Sequence, residues 1–505
     1  MGFGTPGGAG FFSLVSGHWH GGFRRDSPAH IPHNRIRMRV EPNAQRRSQP
    51  VRAWRSVLAR AAARALLLTA WAPVMAQDTA SDLLAVCNDA LQGNAGYRAA
   101  RAEFLAAREL LPQAKGKLLP QLGVRAQYDW LHEHITGDYY GIVDIDRDDD
   151  LDQLLYGARL SQALYQPGLM LGKAQASLRV QQAEYKLRGA QDALLLAVAE
   201  AYFTVLAAED ALLFARAETL ALREQLAQVR AREASGLATD ADLKTAQARY
   251  EIAVARQTEA LDAVANATTR LEAIGGRRYE RLWRLPLNLL LVPPQPAEVE
   301  VWIARAEAEN TLIRMQALGV DIAELGYERA RKAQWPTLDL VGDAFSLESS
   351  GGLAGERNED QERIGVMLTL PLYTGGQLES AKRQALALQT QAEALRDDAR
   401  TQVLRDVRIA YRNSSAGLQR VDALKRALEA TIASEQSTRA GFEAGTLSNT
   451  ELLTAVERRY AAERDHANAR YRFLISSLRL KSLAGNLLVA DLAQINRMLE
   501  APRLP

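Results

Sequence analysis

One stretch of this chain occurs twice. SGLATDADLKTAQARYEIA (235–253) and AGTLSNTELLTAVERRYAA (444–462) each carry a glycine after a long helical run, a short polar turn, and a second helix opening on Leu243 or Leu452. Gly236 and Gly445, Tyr202 and Tyr411, and Gly276 and Gly485 each lie 209 positions apart. Three landmarks at one offset indicate an internal duplication, and a duplication decides architecture before any single element does. Each copy reads helix, two strands, long helix, glycine turn, helix. The expected segments are 1–76 (extension and signal), 77–275 (first repeat), 276–296 (linker), 297–485 (second repeat) and 486–505 (C-terminal segment).

Length alone would suggest about three ordinary domains in 505 residues, and the duplication argues against that count. The net charge of +2 gives no reason to propose nucleic acid. A single cysteine, Cys87, rules out an internal disulfide. No run of about 18 apolar residues lacks a charge, so no spanning helix is expected.

The first 50 residues are rich in Gly, Pro, Arg and His, with His18, His20, His30 and His33 among them. A His-rich tract is a weak metal signal; a disordered extension or an early start codon, with Met38 as the alternative start, explains it better. Arg52, Arg55, Arg60 and Arg64 then precede the short apolar run 65–72 and the small-residue site ending at Ala76. That is the layout of a secretory signal cleaved after Ala76. Cys87 has no lipobox, so an acylated N-terminus is not expected.

A helix is expected from Ser81 to about Leu111. Beyond Pro120, Leu122, Val124, Ala126, Tyr128 and Trp130 alternate with Gln121, Gly123, Arg125, Gln127 and Asp129. Period two is the strand signal. Gln153 to Tyr165 alternates less tidily, and the acidic stretch between the two strands reads as a solvated loop. Asp144, Asp146 and Asp148 imitate a calcium loop, but Asp149 and Leu155 replace its required Gly and Glu.

From Leu169 to Ala234 there is no proline, and a helix of that length measures about 100 Å at ~1.5 Å per residue. Helix resumes from Ala241 to Ile274. The second copy follows: helix 299–333, strands 337–347 and 364–372 around a loop, a long helix to Phe442, helix 449–484, and a short helix near 491–499.

Four strands with one apolar and one polar face, in an exported chain, point to a membrane barrel. An open four-stranded sheet leaves backbone groups unpaired in lipid, and outer-membrane barrels begin at about eight strands. Several chains must therefore contribute. The helices are too long and too polar for lipid and belong in an aqueous compartment.

The sequence resembles the TolC family of outer-membrane efflux and secretion channels. The resemblance rests on Leu119-Pro120-Gln121-Leu122, on 371–376 (PLYTGG), on the Gly236 and Gly445 turns, on 467–471 (ANARY), on 475–485 (ISSLRLKSLAG), and on Asp491-Leu492. It implies a mainly α homotrimer: a coiled-coil α-barrel joined to a twelve-stranded β-barrel, with four strands per chain. It also implies outer-membrane lipid around the barrel, a periplasmic adaptor (membrane fusion) protein, and an inner-membrane ABC or RND transporter. No cofactor, metal or nucleic-acid partner is implied.

The resemblance places the docking turns at Gly236, Leu237, Ala238, Gly445, Thr446 and Ser448. At the tunnel entrance the family's coil-tip acid falls on Asp242, its inner-coil arginine on Arg470, and its two acidic ring positions on Glu451 and Thr454. The polar latch partners fall on Phe442 and Leu447, neither of which forms a polar link, so the seal is altered. Asp242 and Glu451 also read as first-turn helix acids, and Arg470 as a surface ion pair.

An enzyme is not expected. His132-Glu133-His134 lacks a third zinc ligand at a suitable spacing, and no phosphate loop or nucleophile elbow is present. The rival reading, a soluble coiled-coil structural protein or a periplasmic adaptor, leaves the 122–130 alternation without a use.

Overall fold

The computed structural model describes residues 80–139, 143–286, 289, 291–351, 355–485 and 487–501. The expected signal, the His-rich tract and the Met38 start lie outside the described residues.

In chain order the helices are α1 (Leu83–Gly93), α2 (Ala95–Arg108) and α3 (Leu110–Gly116), then α4 (Pro167–Ala234) and α5 (Asp240–Gly275). After the linker come α6 (Val299–Glu309), α7 (Thr311–Arg331), α8 (Gln377–Glu443), α9 (Asn449–Leu483) and α10 (Val489–Asn496). The strands are β1 (Gln121–Tyr139), β2 (Val143–Tyr165), β3 (Thr337–Gly351) and β4 (Arg357–Thr369).

Two expected helices are divided. Asn94 takes an extended conformation, accepts the Tyr97 N–H, and separates α1 from α2. Asn310 does the same between α6 and α7, accepting from Leu312 and Ile313. A capping side chain that satisfies the next helix's first N–H groups lets the chain turn without losing hydrogen bonds. Each asparagine also donates across the fold, Asn94 to the Ile274 carbonyl at 3.3 Å and Asn310 to the Leu483 carbonyl at 2.8 Å. Ile274 and Leu483 are again 209 positions apart.

The four strands form one antiparallel sheet in the order β1-β2-β3-β4. The strands are longer than the alternation indicated. The acidic stretch read as a loop is extended, with β1 running to Tyr139 and β2 starting at Val143. Cross-strand partners explain this. His132 Nδ1 lies 2.7 Å from Asp150 and His134 Nδ1 2.7 Å from Asp148, so facing side chains pair instead of repelling. Asp146 and Asp148 accordingly sit on a strand rather than in a loop. At 13 to 23 residues, every strand exceeds the ~9–11 that a tilted membrane strand needs.

The register assigns the faces. Leu122, Val124, Ala126 and Tyr128 of β1 stand opposite Leu160, Ala158, Tyr156 and Leu154 of β2. This apolar face is uncovered within one chain: Leu122 is 73%, Val124 82% and Ile364 78% exposed. The two edge strands, β1 and β4, have no strand partner on their outer sides among the described residues.

The long helices pair as hairpins, α4 with α5 and α8 with α9. Helix α4 contains an 18-residue window of mean hydropathy 1.4, apolar enough to cross a membrane by length and composition alone. Half of that window is buried inside the fold, and Leu195, Val198, Tyr202, Phe203 and Leu206 of α4 belong to the largest core. Its apolarity serves packing. That core also takes in Leu83 and Val86 of α1, Leu271 of α5, Phe473 and Leu478 of α9, and Leu492 of α10. There the N-terminal segment, linker and C-terminal segment join through the bridges Ser81–Leu282 and Arg284–Glu500.

Candidate functional site: the paired hairpin turns

Both hairpins reverse on a glycine with positive φ, Gly236 at +71° and Gly445 at +78°. A Cβ at either position would meet open space, so the backbone angle alone selects glycine. Leu237 N–H donates to the Arg232 carbonyl at 2.8 Å and Gly236 N–H to Glu233 at 2.9 Å. Thr446 N–H donates to Gly441 at 2.9 Å and Gly445 N–H to Phe442 at 3.0 Å. Both are Schellman motifs, which satisfy the last helical carbonyls.

Each following helix opens on a capping box. Asp242 N–H donates to Thr239 Oγ1 at 3.1 Å, and Thr239 N–H donates back to Asp242 Oδ2 at 3.1 Å. Glu451 N–H donates to Ser448 Oγ at 3.3 Å, and Ser448 N–H donates to Glu451 Oε2 at 2.7 Å. Hydrogen bonds to the charged form favour it. The Thr239 hydroxyl and then its N–H hold Asp242 below the usual carboxylate range. The Ser448 N–H and then its hydroxyl do the same for Glu451. Glu451 is exposed and Asp242 half-buried, and both remain charged near neutral pH.

The two turns pack together. Leu222, Leu226 and Val229 of α4, Ala246 and Ala253 of α5, and Leu452, Leu453 and Val456 of α9 form one cluster, with Ala238, Leu243 and Phe442 against it. The Arg232 guanidinium lies 4.9 Å from the Phe442 ring centroid, a cation–π contact between the hairpins. Leu447 folds back over Gly441, where a Cβ would come within 2.6 Å of its Cδ1. Phe442 and Leu447 thus make apolar and cation–π contacts at the positions where the resemblance put polar latches.

An open groove of about 670 Å³ runs beside the second turn, lined by Ser448, Glu451, Thr454, Arg458, Leu447 and residues of α8. The Thr454 hydroxyl donates to the Thr450 carbonyl at 2.8 Å. Arg470 does not join this group. It lies 19 residues along α9 from Glu451, about 28 Å at ~1.5 Å per residue. It is buried, only 3% exposed, and donates to the Pro286 carbonyl of the linker. The adjacent Tyr471 hydroxyl donates to Asp210 at 2.7 Å. Arg470 therefore braces the linker against the hairpins rather than facing the turns.

Sequence reasoning missed the polar links between helices near the turns. Gln225 Nε2 donates to Asn449 Oδ1 at 2.9 Å inside the seam, and Arg249 pairs with Glu457 across it. Buried Glu218 is held by Arg256 at 3.1 Å, and Glu435 by Arg459 at 3.0 Å and Arg439 at 2.7 Å. The available signal was Gln225 on the Leu222–Leu226–Val229 stripe: a polar residue on an apolar face needs a buried partner. Among the described residues no cluster of three or more His, Cys, Asp or Glu is arranged to hold a metal ion.

The model of the family described as outer membrane efflux protein matches residues 86–277 and 302–486, one segment in each half of the chain. The chain is 30% identical over 436 residues to outer membrane protein TolC of Escherichia coli (strain K12), covering 84% of this chain and 86% of that one. It is 28% identical over 414 residues to the alkaline protease secretion protein AprF of Pseudomonas aeruginosa, covering 80% and 84%. Its fold is similar to the Campylobacter jejuni CmeC outer membrane channel, with a TM-score of 0.71 at 15% identity, over 85% of this chain and 95% of that one. The matched segments hold both hairpins and all four strands, so the chain belongs to the outer membrane efflux protein family and is a passive outer-membrane channel rather than an enzyme.

Proposed function

We propose that three copies of this chain close one tube, and that substrates leave through it in efflux or type I secretion. The observation that carries this reading is the sheet: four strands, an apolar outer face and two open edges, attached to helices of 68 and 67 residues. An open edge is unstable in lipid because nothing there replaces the lost hydrogen bonds. Pairing β4 of one copy with β1 of the next removes every edge and gives twelve strands. The helical hairpins then extend about 100 Å into the periplasm at ~1.5 Å per residue. The tube performs no chemistry; an inner-membrane ABC or RND transporter supplies the energy, and a periplasmic adaptor joins the two.

The adaptor docks beside the turns at Gly236, Leu237, Ala238, Gly445, Thr446 and Ser448, where both hairpins reverse and Leu237 is 71% exposed. The entrance charge comes from Glu451 and Asp242, fixed by their capping boxes. Thr454 leaves the ring with fewer carboxylates, and Phe442 and Leu447 make closure depend on apolar contact. Native mass determination of protein extracted from outer membranes tests the assembly. A trimer that conducts in a planar bilayer is expected; a soluble monomer defeats the reading.

A further inference from the structure

The inner face of the sheet carries a charge pattern that the export reading does not use. Antiparallel register puts Gly123, Arg159, Asp343 and Arg363 in one row across the four strands. The next row on the same face holds Arg125, Gly157, Phe345 and Gln361. Both rows lie on the face opposite Leu122 and Val124, the polar side of the sheet. Three arginines therefore stand in two adjacent rows with a single carboxylate.

The geometry presents the arginines and hides the acid. Asp343 accepts a hydrogen bond from Arg363 Nη2 at 2.6 Å and forms an ion pair with Arg159 Nε at 3.3 Å, and its side chain is only 10% exposed. The side chains of Arg159 and Arg363 above it are 68% and 63% exposed. A guanidinium has five N–H donors. One contact each to Asp343 leaves most of both forks directed away from the wall, oriented by a shared anchor. Arg125 donates to the Gln127 amide oxygen, and the Gln127 amide nitrogen donates on to Asp129 at 2.8 Å, so Arg125 is oriented with no carboxylate in direct contact. Gly123 beside Arg159 and Gly157 beside Arg125 carry no side chain to cover the forks. Anchored, exposed arginines suit oxyanions, because two parallel N–H bonds match a carboxylate or phosphate edge.

We propose that these arginines form a belt inside the barrel that binds multivalent oxyanions, the phosphate or carboxylate groups of passing cargo. The belt rests on the closed-barrel reading, which turns this face inward and brings three copies around one lumen. Charge in a confined, low-dielectric passage concentrates counter-ions strongly. The arginines then form a positive ring on a wall that also carries Asp129, Asp339 and Glu359 on the same face.

Purified full-length channel in planar bilayers tests the belt, with inorganic tripolyphosphate added on the barrel side as the probe. Concentration-dependent block is expected for the wild type. Arg159→Gln combined with Arg363→Gln should raise the blocking concentration about tenfold or more, since a hydrogen bond to a charged group contributes about 1.5–3 kcal/mol. Asp343→Asn removes the carboxylate between Arg159 and Arg363 and should lower the blocking concentration, which keeps the test decisive if the double variant assembles poorly. A conducting wild type indifferent to tripolyphosphate, or equal block in all three proteins, overturns the belt alone. A chain that forms no pore overturns the closed-barrel reading and the belt with it.

Discussion

Asp242 and Glu451 lie 209 positions apart and close the same capping box, each returning a carboxylate to the residue that caps its helix. One acid therefore does two things. It satisfies an orphan N–H at the helix start, and it keeps a negative charge at the turn. Substitution to alanine removes both effects, so a change in ion flow after such a substitution has two causes.

Glutamine separates them. Glu451→Gln keeps the acceptor for the Ser448 N–H and loses the charge; Glu451→Ala loses both. Both variants should lower cation selectivity in planar bilayers and weaken block by trivalent cations, because charge at a narrow axis attracts counter-ions. Only Glu451→Ala should also loosen the first turn of α9, seen as faster amide exchange. Unchanged selectivity in Glu451→Gln would remove Glu451 from the entrance.

The same bonds predict a pH dependence. Folded-state pKa values of Asp242 and Glu451 are depressed, so their stabilisation is present above the unfolded value and lost as pH falls through the folded one. Amide protection at the start of α5 and α9 should be flat from neutral pH down to about 5. It should fall at and below the ordinary carboxylate range, ~4. Thr239→Ala and Ser448→Ala should make that fall smaller and complete it at higher pH, and an unchanged fall would show that other groups control it.

The duplication, the strand faces and the turn glycines were legible because each is a local, periodic signal. Leu122–Trp130 alternates whether or not a partner chain is present. The acidic hairpin was not legible, since a run of aspartates gives no hint that His132 and His134 will face it across β1. The contact of Arg470 was hidden for a related reason. Position along a helix is readable, but the linker carbonyl that it reaches, Pro286, is 184 residues away in sequence. The links Gln225–Asn449 and Arg249–Glu457 likewise join segments more than 200 residues apart.

Docking is best tested at Leu237, which is 71% exposed beside the first turn. Ser448 is the N-cap of α9 and Ala238 packs on the turn cluster, so changes there disturb the fold as well. Leu237→Glu should abolish export in cells while leaving the amount of heat-stable trimer unchanged. Full export by this variant would place the adaptor elsewhere.

Gly236→Ala and Gly445→Ala test the turns themselves. Nothing blocks a methyl at either site, so the whole cost is the positive φ. Each should destabilise by about 1 kcal/mol or somewhat more. Thermal unfolding of the trimer should show a similar loss for both, since the two turns share one geometry. Gly445→Ala without effect would mean that the second turn relaxes to another conformation.

Arg470 gives the sharpest separation of roles. If it faced the entrance, Arg470→Met would change cation selectivity and opening. Buried against the linker and donating to Pro286, it should do neither. Desolvation is the largest influence on Arg470 and lowers its pKa, while Tyr471 and Asp210 oppose that shift. Methionine fills similar volume but leaves the Pro286 carbonyl without its donor and removes a positive charge near Asp210. A hydrogen bond to a charged group is worth about 1.5–3 kcal/mol, so the loss should appear as a lower unfolding temperature and faster proteolysis in the 277–296 linker. Planar-bilayer recordings of Arg470→Met should match wild type in selectivity. A shifted selectivity with unchanged stability would return Arg470 to the entrance and show that the contact with Pro286 is not kept in the assembled channel.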